Sequence, residues 1–147
     1  MNKNIINILL AEDDPDDQLM VREAFEENRL HNHLHIVEDG IELLDFLRNQ
    51  GKYKDPEFAP RPGLILLDLN MPRMDGRKAL EEIKKDPNLK SIPIVILTTS
   101  KAEEDILRTY DLGANSFIIK PVTFDQLVKI IKTITEYWIE IVQLPRD

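Results

Sequence analysis

Short apolar segments alternate five times with longer segments of helical periodicity, and this order constrains the fold more than any other feature. The apolar segments, predicted as β-strands, are residues 5–10, 33–37, 64–67, 92–97 and 116–119. Three of them are almost continuously apolar, which is typical of parallel strands covered on both faces. Strand–helix alternation folds as a parallel sheet with right-handed crossovers. The sequence therefore predicts a doubly wound, five-stranded parallel α/β sheet.

Capping residues mark the ends of the predicted helices. Asp14 followed by Pro15 is typical of an N-cap and a first helical position. Two further segments, 39–42 and 100–103, have the spacing of a capping box and predict helix starts there. The last helical stripe extends from about residue 123 to about residue 143.

Composition excludes several classes of protein. The chain has 147 residues, which fits one domain and leaves no room for a separate output domain. It has no cysteine, which excludes thiolate metal sites and suits the cytoplasm. A net charge of −8, from 27 acidic and 19 basic residues, argues against nucleic acid as a partner. No apolar stretch approaches ~20 residues, so we expect no membrane partner.

Polar side chains follow four of the predicted strands, at the edge of the sheet where such folds place their sites. Glu12 and Asp13 follow the first strand, Asp68 follows the third, Thr98 the fourth and Lys120 the fifth. Two carboxylates ~4 Å apart repel by ~1 kcal/mol in water and ~4 kcal/mol at an effective dielectric of ~20. Oxygen ligands favour Mg²⁺, with Mn²⁺ or Ca²⁺ ranked behind it. Lys120 adds a positive charge suited to a phosphoryl oxygen.

Most polar residues near these strand ends also have an ordinary structural explanation, although capping does not explain Glu12 and Asp13, which precede the cap. Asp14, Asp16 and Asp17 are interpreted as capping and first-turn charges with no metal role. Asp68 alone would be a turn residue, and Lys120 before a proline would be a turn signal. Only their convergence on one edge of the sheet supports a functional site.

Four motifs at these strand ends resemble the receiver domain of bacterial two-component response regulators. They are ILLAEDDP at 8–15, LLDLNMPRMDG at 66–76, IVILT at 94–98 and GANSFIIKP at 113–121. The resemblance covers nearly the whole chain, residues 1–147, as one domain and implies the (βα)5 flavodoxin-like receiver fold. It implies a phosphoacceptor signalling domain of a phosphorelay rather than an enzyme, with self-phosphorylation and self-dephosphorylation as its only reactions.

The resemblance also implies an acceptor and a metal site. Asp68 would accept a phosphoryl group from a histidine kinase or a small phosphodonor. Asp13, Asp68 and the backbone carbonyl of Asn70 would bind Mg²⁺, for which Mn²⁺ could substitute, and Glu12 would act mainly through water. Glu12 stands where aspartate is commoner in the family, and this change should keep metal binding.

The remaining implied roles concern the phosphoryl group. Lys120 would pair with its oxygens, and Thr98, selected over Thr99 by the family's spacing, would donate a hydrogen bond to one of them. Phe117, where tyrosine is commoner, would be the aromatic switch that moves inward with Thr98. The Lys120–Pro121 peptide resembles the family's cis peptide, since only an X-Pro bond adopts that isomer at ~0.5–1 kcal/mol.

The last helix gives a narrower resemblance, to stand-alone response regulators paired with cyanobacterial phytochromes. It implies a phytochrome-like histidine kinase as phosphodonor and a homodimer through the last helix and neighbouring elements. The candidate dimer residues are Tyr137, Trp138 and Ile141. The alternative is a longer helix folded back on its own domain.

A long connector, residues 51–63, precedes the predicted acceptor strand and shares that narrower resemblance. Loops beyond ~12 residues are uncommon and often functional. The favoured interpretation is a proline-stiffened surface loop. The functional alternative is docking of the kinase through Tyr53 and Phe58.

Three rival functions fit the sequence less well. An aspartyl-phosphate phosphatase would carry a second aspartate two residues after its nucleophile, where this chain has Asn70. A flavodoxin-like cofactor protein would need a phosphate-binding loop after the first strand, where residues 12–14 are acidic. A phosphate-independent adaptor would not need the complete set of phosphoacceptor, metal-binding and phosphoryl-binding residues that this chain has.

Overall fold

Five parallel strands form the centre of the protein, for which the computed structural model describes residues 6–30 and 34–141, with only the backbone in residues 139–141. The strands are β1 (Ile8–Ala11), β2 (Leu34–Val37), β3 (Leu64–Leu67), β4 (Ile94–Thr98) and β5 (Ser116–Ile119). They form one sheet in the order β2–β1–β3–β4–β5, with every pairing parallel. The predicted doubly wound sheet is confirmed.

One helix follows each strand. The helices are α1 (Pro15–Glu27), α2 (Gly40–Arg48), α3 (Gly76–Lys85), α4 (Glu103–Asp111) and α5 (Phe124–Thr135). The predicted cap of α1 is present, since the Asp14 carboxylate accepts hydrogen bonds from the backbone N–H groups of Asp16 and Asp17. No helix in the described part of the chain is both long and apolar enough to cross a membrane.

The two faces of the sheet carry separate cores. Side chains alternate between the faces along each strand, so Leu9 of β1 lies with α2 and α3, while Ile8 and Leu10 lie with α1 and α5. The strands β1, β3 and β4 are buried along their full length. Burying one leucine or isoleucine contributes roughly 1.5–3 kcal/mol, so these central strands fix the edge from which the polar residues project.

Some predicted boundaries were wrong. β4 begins at Ile94 rather than at residue 92, and α4 begins at Glu103 with Ala102 as its N-cap. The predicted capping box at Ser100 is not formed, because the helix begins only at Glu103; the Ser100 hydroxyl instead donates to the Asp105 carboxylate over 2.7 Å and accepts from the backbone N–H of Ala102 over 3.4 Å. β1 begins at Ile8, so residues 6 and 7 of the first predicted strand are not strand, while residues 5 and 33, predicted to begin two strands, lie outside the described residues.

The connector is attached to α2 by aromatic packing. It contains a short 3-10 helix, Gly51–Tyr53, in which Tyr53 is buried. The Tyr53 ring lies 5.0 Å from that of Phe46 and 6.0 Å from that of Phe58, between centroids. Its hydroxyl donates to Glu42 over 2.7 Å. Of the two residues considered for kinase docking, only Phe58 is exposed, at 62%.

The chain continues beyond α5 as a π-helical segment, Glu136–Ile141. Trp138 is partly buried against the core between the sheet, α1 and α5, as expected for a helix that folds onto its own domain. Tyr137 is 51% exposed and meets the Trp138 ring edge-on at 5.2 Å. The side chain of the third candidate dimer residue, Ile141, lies outside the described residues, as do residues 142 and 143 of the predicted helix.

Candidate functional site

The carboxyl ends of four strands bring the predicted polar residues together. The parallel register pairs Ala11 of β1 with Leu67 of β3, so the residues that follow them, Glu12 and Asp68, are neighbours. The pairing of Thr98 with Ile119 brings the end of β4 to the residue before Lys120. The site therefore results directly from the strand order and register.

Three carboxylates meet at this edge of the sheet. Glu12, Asp13 and Asp68 each offer one oxygen, and these oxygens lie within 4.8 Å of one another. Glu12 and Asp68 are buried, whereas Asp13 is more open to solvent. An all-oxygen donor set with excess negative charge fits a hard divalent cation such as Mg²⁺ or Mn²⁺.

The Lys120 ammonium group lies among these carboxylates. Its Nζ is 3.4 Å from Asp68 Oδ2 and contacts Glu12 Oε1. It also donates to Asp17 Oδ2 over 2.8 Å, a contact that the sequence interpretation missed. Asp17 lies in the first turn of α1, where the sequence interpretation explained it as a helix-end charge. Its contact with Lys120 depends on the packing of α1 beside the end of β5, which no local sequence pattern shows.

Burial and neighbouring charges shift the pKa values of two groups in the site, Glu12 and Lys120. Burial raises the pKa of the Glu12 carboxyl, and despite the opposing hydrogen bond from Lys120 the pKa reaches about 7. Burial by itself would lower the pKa of Lys120. The hydrogen bonds to Asp17 and Glu12 and the charge of Asp68 outweigh that effect and raise it, so Lys120 stays charged.

The Asp68 carboxylate has two hydrogen-bond donors besides Lys120. Thr98 Oγ1 donates to Asp68 Oδ1 over 2.7 Å, and the backbone N–H of Asn70 donates to the same oxygen over 3.3 Å. Thr98 is fully buried, whereas Thr99 is exposed, so the structure brings Thr98 and not Thr99 to Asp68. The backbone N–H of Ser100 lies 3.4 Å from Thr98 Oγ1.

A glycine allows α3 to approach the loop after β3. The backbone N–H of Gly76 donates to the carbonyl of Leu69 over 2.9 Å. A Cβ atom at Gly76 would lie 2.2 Å from the backbone oxygen of Asp68 and 2.8 Å from Leu69 Cα. Since these are backbone atoms, a side chain here would displace the loop that carries Asp68.

The predicted cis peptide at Lys120–Pro121 is wrong, because the described residues contain no cis peptide bond. The trans isomer of an X-Pro bond is intrinsically favoured by about 0.5–1 kcal/mol. In the trans form, the Lys120 side chain already contacts three carboxylates.

Phe117, the predicted switch residue, lies on β5. Its ring is partly buried against the core on the α2 and α3 side of the sheet. Its backbone N–H donates to the hydroxyl of Tyr110 on α4 over 3.1 Å. Phe117 therefore connects the edge strand to α4.

The sequence of this chain is similar to that of known proteins over most of its length. The family model described as the response regulator receiver domain matches residues 8–132. Response regulator Rcp1 of Synechocystis sp. is 43% identical over 138 residues, which are 94% of this chain and 92% of Rcp1.

Two solved structures are similar over nearly their whole length. The phosphorylated cyanobacterial phytochrome response regulator RcpA is 43% identical with a TM-score of 0.89, covering 97% of this chain and 100% of RcpA. The Mn²⁺-bound form of Rcp1 is 42% identical with a TM-score of 0.85, covering 96% of this chain and 99% of that one.

Proposed function

The chain belongs to the response regulator receiver domain family, and from this premise we propose that Asp68 accepts a phosphoryl group from a histidine kinase. The observation that carries this proposal is the setting of Asp68. Its buried carboxylate accepts hydrogen bonds from Thr98 Oγ1 and from Lys120 Nζ within a cluster of three acids. An ordinary turn aspartate would be solvated and would not be bonded to a buried hydroxyl and an ammonium group.

The proposed step is a direct phosphoryl transfer. An Asp68 carboxylate oxygen attacks the phosphorus of a phosphohistidine, the P–N bond breaks, and its electron pair returns to the imidazole nitrogen. The product is an aspartyl phosphate. The transition state is loose and its charge is dispersed over the phosphoryl oxygens, so catalysis depends on position and positive charge.

Asp13 and Asp68 would hold the divalent cation directly, with the backbone carbonyl of Asn70 as a third ligand, and Glu12 would act mainly through water. Bound Mg²⁺ or Mn²⁺ supplies positive charge to the phosphoryl oxygens. The buried position of Glu12 and its elevated pKa fit a site where negative charge needs a cation.

Thr98 and Lys120 would respond to the new phosphoryl group. The Thr98 hydroxyl, which donates to Asp68 over 2.7 Å, would turn to a phosphoryl oxygen, and Lys120 would pair with another. Movement of Thr98 would open space for the Phe117 ring to move inward, close to the point where the backbone N–H of Phe117 joins β5 to the Tyr110 hydroxyl of α4. Loss of the phosphoryl group by self-dephosphorylation would reverse the change.

The relatives suggest the signalling partner. RcpA is described as a cyanobacterial phytochrome response regulator, so the kinase proposed for this chain is phytochrome-like. We further propose that the chain acts in the cytoplasm as one receiver domain, residues 1–147, and signals through contacts with another protein. Its homodimer would form through the segment after α5, where Tyr137 is exposed.

Intact mass spectrometry tests the acceptor. The protein is incubated with acetyl phosphate and Mg²⁺ beside Asp68→Asn and a matched control, Asp111→Asn, which removes an exposed carboxylate at the end of α4. Wild type and Asp111→Asn are expected to gain one phosphoryl mass, and Asp68→Asn is expected to gain none. Equal phosphorylation of Asp68→Asn would overturn the assignment.

A further inference from the structure

Three carboxylates on three segments of the chain hold the Lys120 ammonium group. Its Nζ lies 2.8 Å from Asp17 Oδ2 and 3.4 Å from Asp68 Oδ2, and it contacts Glu12 Oε1. An ammonium group has three N–H donors, so these contacts use its full capacity. A phosphoryl oxygen on Asp68 can receive a hydrogen bond from Lys120 only by replacing or sharing one of them.

Asp17 differs from its neighbour Asp16 although their local settings are alike. Both lie in the first turn of α1, and the backbone N–H groups of both bond to Asp14, over 2.8 Å for Asp16 and 3.4 Å for Asp17. Both charges are therefore favoured by the helix dipole. Asp16 is exposed, whereas the Asp17 side chain is 33% exposed and contacts Lys120. Helix-end charge explains Asp16 but not the contact made by Asp17.

The surroundings strengthen the pair between Asp17 and Lys120. Both residues line a crevice between α1, β4 and α5 whose other walls are apolar, namely Met20, Val21, Leu97, Pro121 and Leu127. Apolar walls lower the effective dielectric, so opposite charges attract more strongly there than in open water. The Lys120 side chain is only 13% exposed, so this ion pair is not an ordinary surface pair.

We propose that Asp17 is a positioning residue that holds Lys120 in the unphosphorylated protein and competes with the phosphoryl group for it. This inference rests on the proposed function. Phosphorylation adds anionic oxygens beside Asp68, while Asp17 stays fixed on α1. Lys120 must then divide its donors between the two. Asp17 therefore lowers the affinity of the site for a phosphoryl group, and with it sets the phosphodonor concentration at which the protein responds.

Binding of beryllofluoride, which mimics a phosphoryl group on a carboxylate, tests this role. Affinity is measured by isothermal titration calorimetry for wild type, Asp17→Asn and Asp17→Ser, with Asp16→Asn as matched control. Mg²⁺ is held at a concentration shown to saturate each variant, because loss of a negative charge also weakens attraction for the metal ion. Thermal unfolding is recorded for the same samples.

Both Asp17 variants are expected to bind beryllofluoride about fivefold more tightly, equivalent to about 1 kcal/mol, and Asp16→Asn is expected to bind as wild type does. A residue with only a structural role would weaken or leave unchanged both affinity and stability. Unchanged or weaker binding by the two Asp17 variants would overturn the inference while wild type still binds. Absence of binding by wild type would instead count against the proposed function.

Discussion

The guanidinium of Arg77 on α3 donates two hydrogen bonds to the carboxylate of Asp105 on α4, over 2.7 Å from Nε and 2.6 Å from Nη2. The same carboxylate accepts a hydrogen bond from the Ser100 hydroxyl over 2.7 Å. Ser100 in turn contacts Thr98 Oγ1 through its backbone N–H. A continuous set of hydrogen bonds therefore joins the Asp68 site to the first turn of α4.

Loss of the Asp105 charge should destabilise the protein. The pair with Arg77 is bidentate, and the two side chains are 21% and 15% exposed, so it is better shielded than a surface pair. Asp105→Asn is expected to lower the free energy of unfolding by about 1–2 kcal/mol in urea titrations. Glu103→Gln, in the same helical turn and exposed, controls for the helix dipole. An equal loss in both variants would show that the dipole, and not Arg77, is responsible.

The same pair predicts a pH dependence of stability. The hydrogen bonds from Arg77 lower the pKa of Asp105 from its ordinary 3.8 to about 2, with smaller contributions from Ser100 and Arg108. A lowered pKa in the folded state stabilises the protein above the ordinary value, and this stabilisation is lost as the pH falls toward 2. The difference in unfolding free energy between wild type and Asp105→Asn should therefore shrink between about pH 5 and pH 2. A difference in unfolding free energy that stays constant across that pH range would contradict this prediction.

The Tyr53 hydroxyl should stabilise the connector. It donates to Glu42 over 2.7 Å, and burial together with this bond raises the pKa of Tyr53 to about 12. Tyr53→Phe is expected to lower the free energy of unfolding by about 0.5–1.5 kcal/mol, because Glu42 keeps its contact with Lys52. Tyr137→Phe, at an exposed position, is the matched control in the same denaturation series. A Tyr53→Phe protein as stable as wild type would mean that the bond contributes nothing.

Much of the fold and of the site could be predicted because parallel strands share one direction. The apolar segments at 64–67 and 116–119 matched β3 and β5 to the residue. Once the sheet was parallel, the residues after each strand had to meet at one edge. That geometry brought Asp68, Thr98 and Lys120 together without any knowledge of side-chain contacts.

The contacts that were missed depend on tertiary packing between separate elements. Asp17 bonds to Lys120 across 103 positions of sequence, which no local pattern encodes. Sequence does not show that the Ser100 hydroxyl donates to Asp105, because the bidentate contact of Asp105 with Arg77 on α3 holds the carboxylate where Ser100 reaches it. Tyr53 was considered as a docking residue because sequence does not show which aromatic side chain of a loop is buried.

The proposed dimer can be tested at Tyr137, because substitution there disturbs the fold less than substitution of Trp138, the other described candidate. Tyr137 is 51% exposed, whereas Trp138 is partly buried against its own core, so Trp138→Ala should cost about 3 kcal/mol of stability for reasons unrelated to association. Tyr137→Ala is expected to weaken self-association in sedimentation equilibrium and to lower the free energy of unfolding of the monomer by only about 0.5–1.5 kcal/mol, from loss of its edge-on contact with Trp138. Each protein is measured with Mg²⁺, with and without beryllofluoride, beside Phe58→Ala as an exposed aromatic control outside the last helix. A wild-type monomer in every state, or equal association of Tyr137→Ala and wild type, would remove the last helix as the dimer contact.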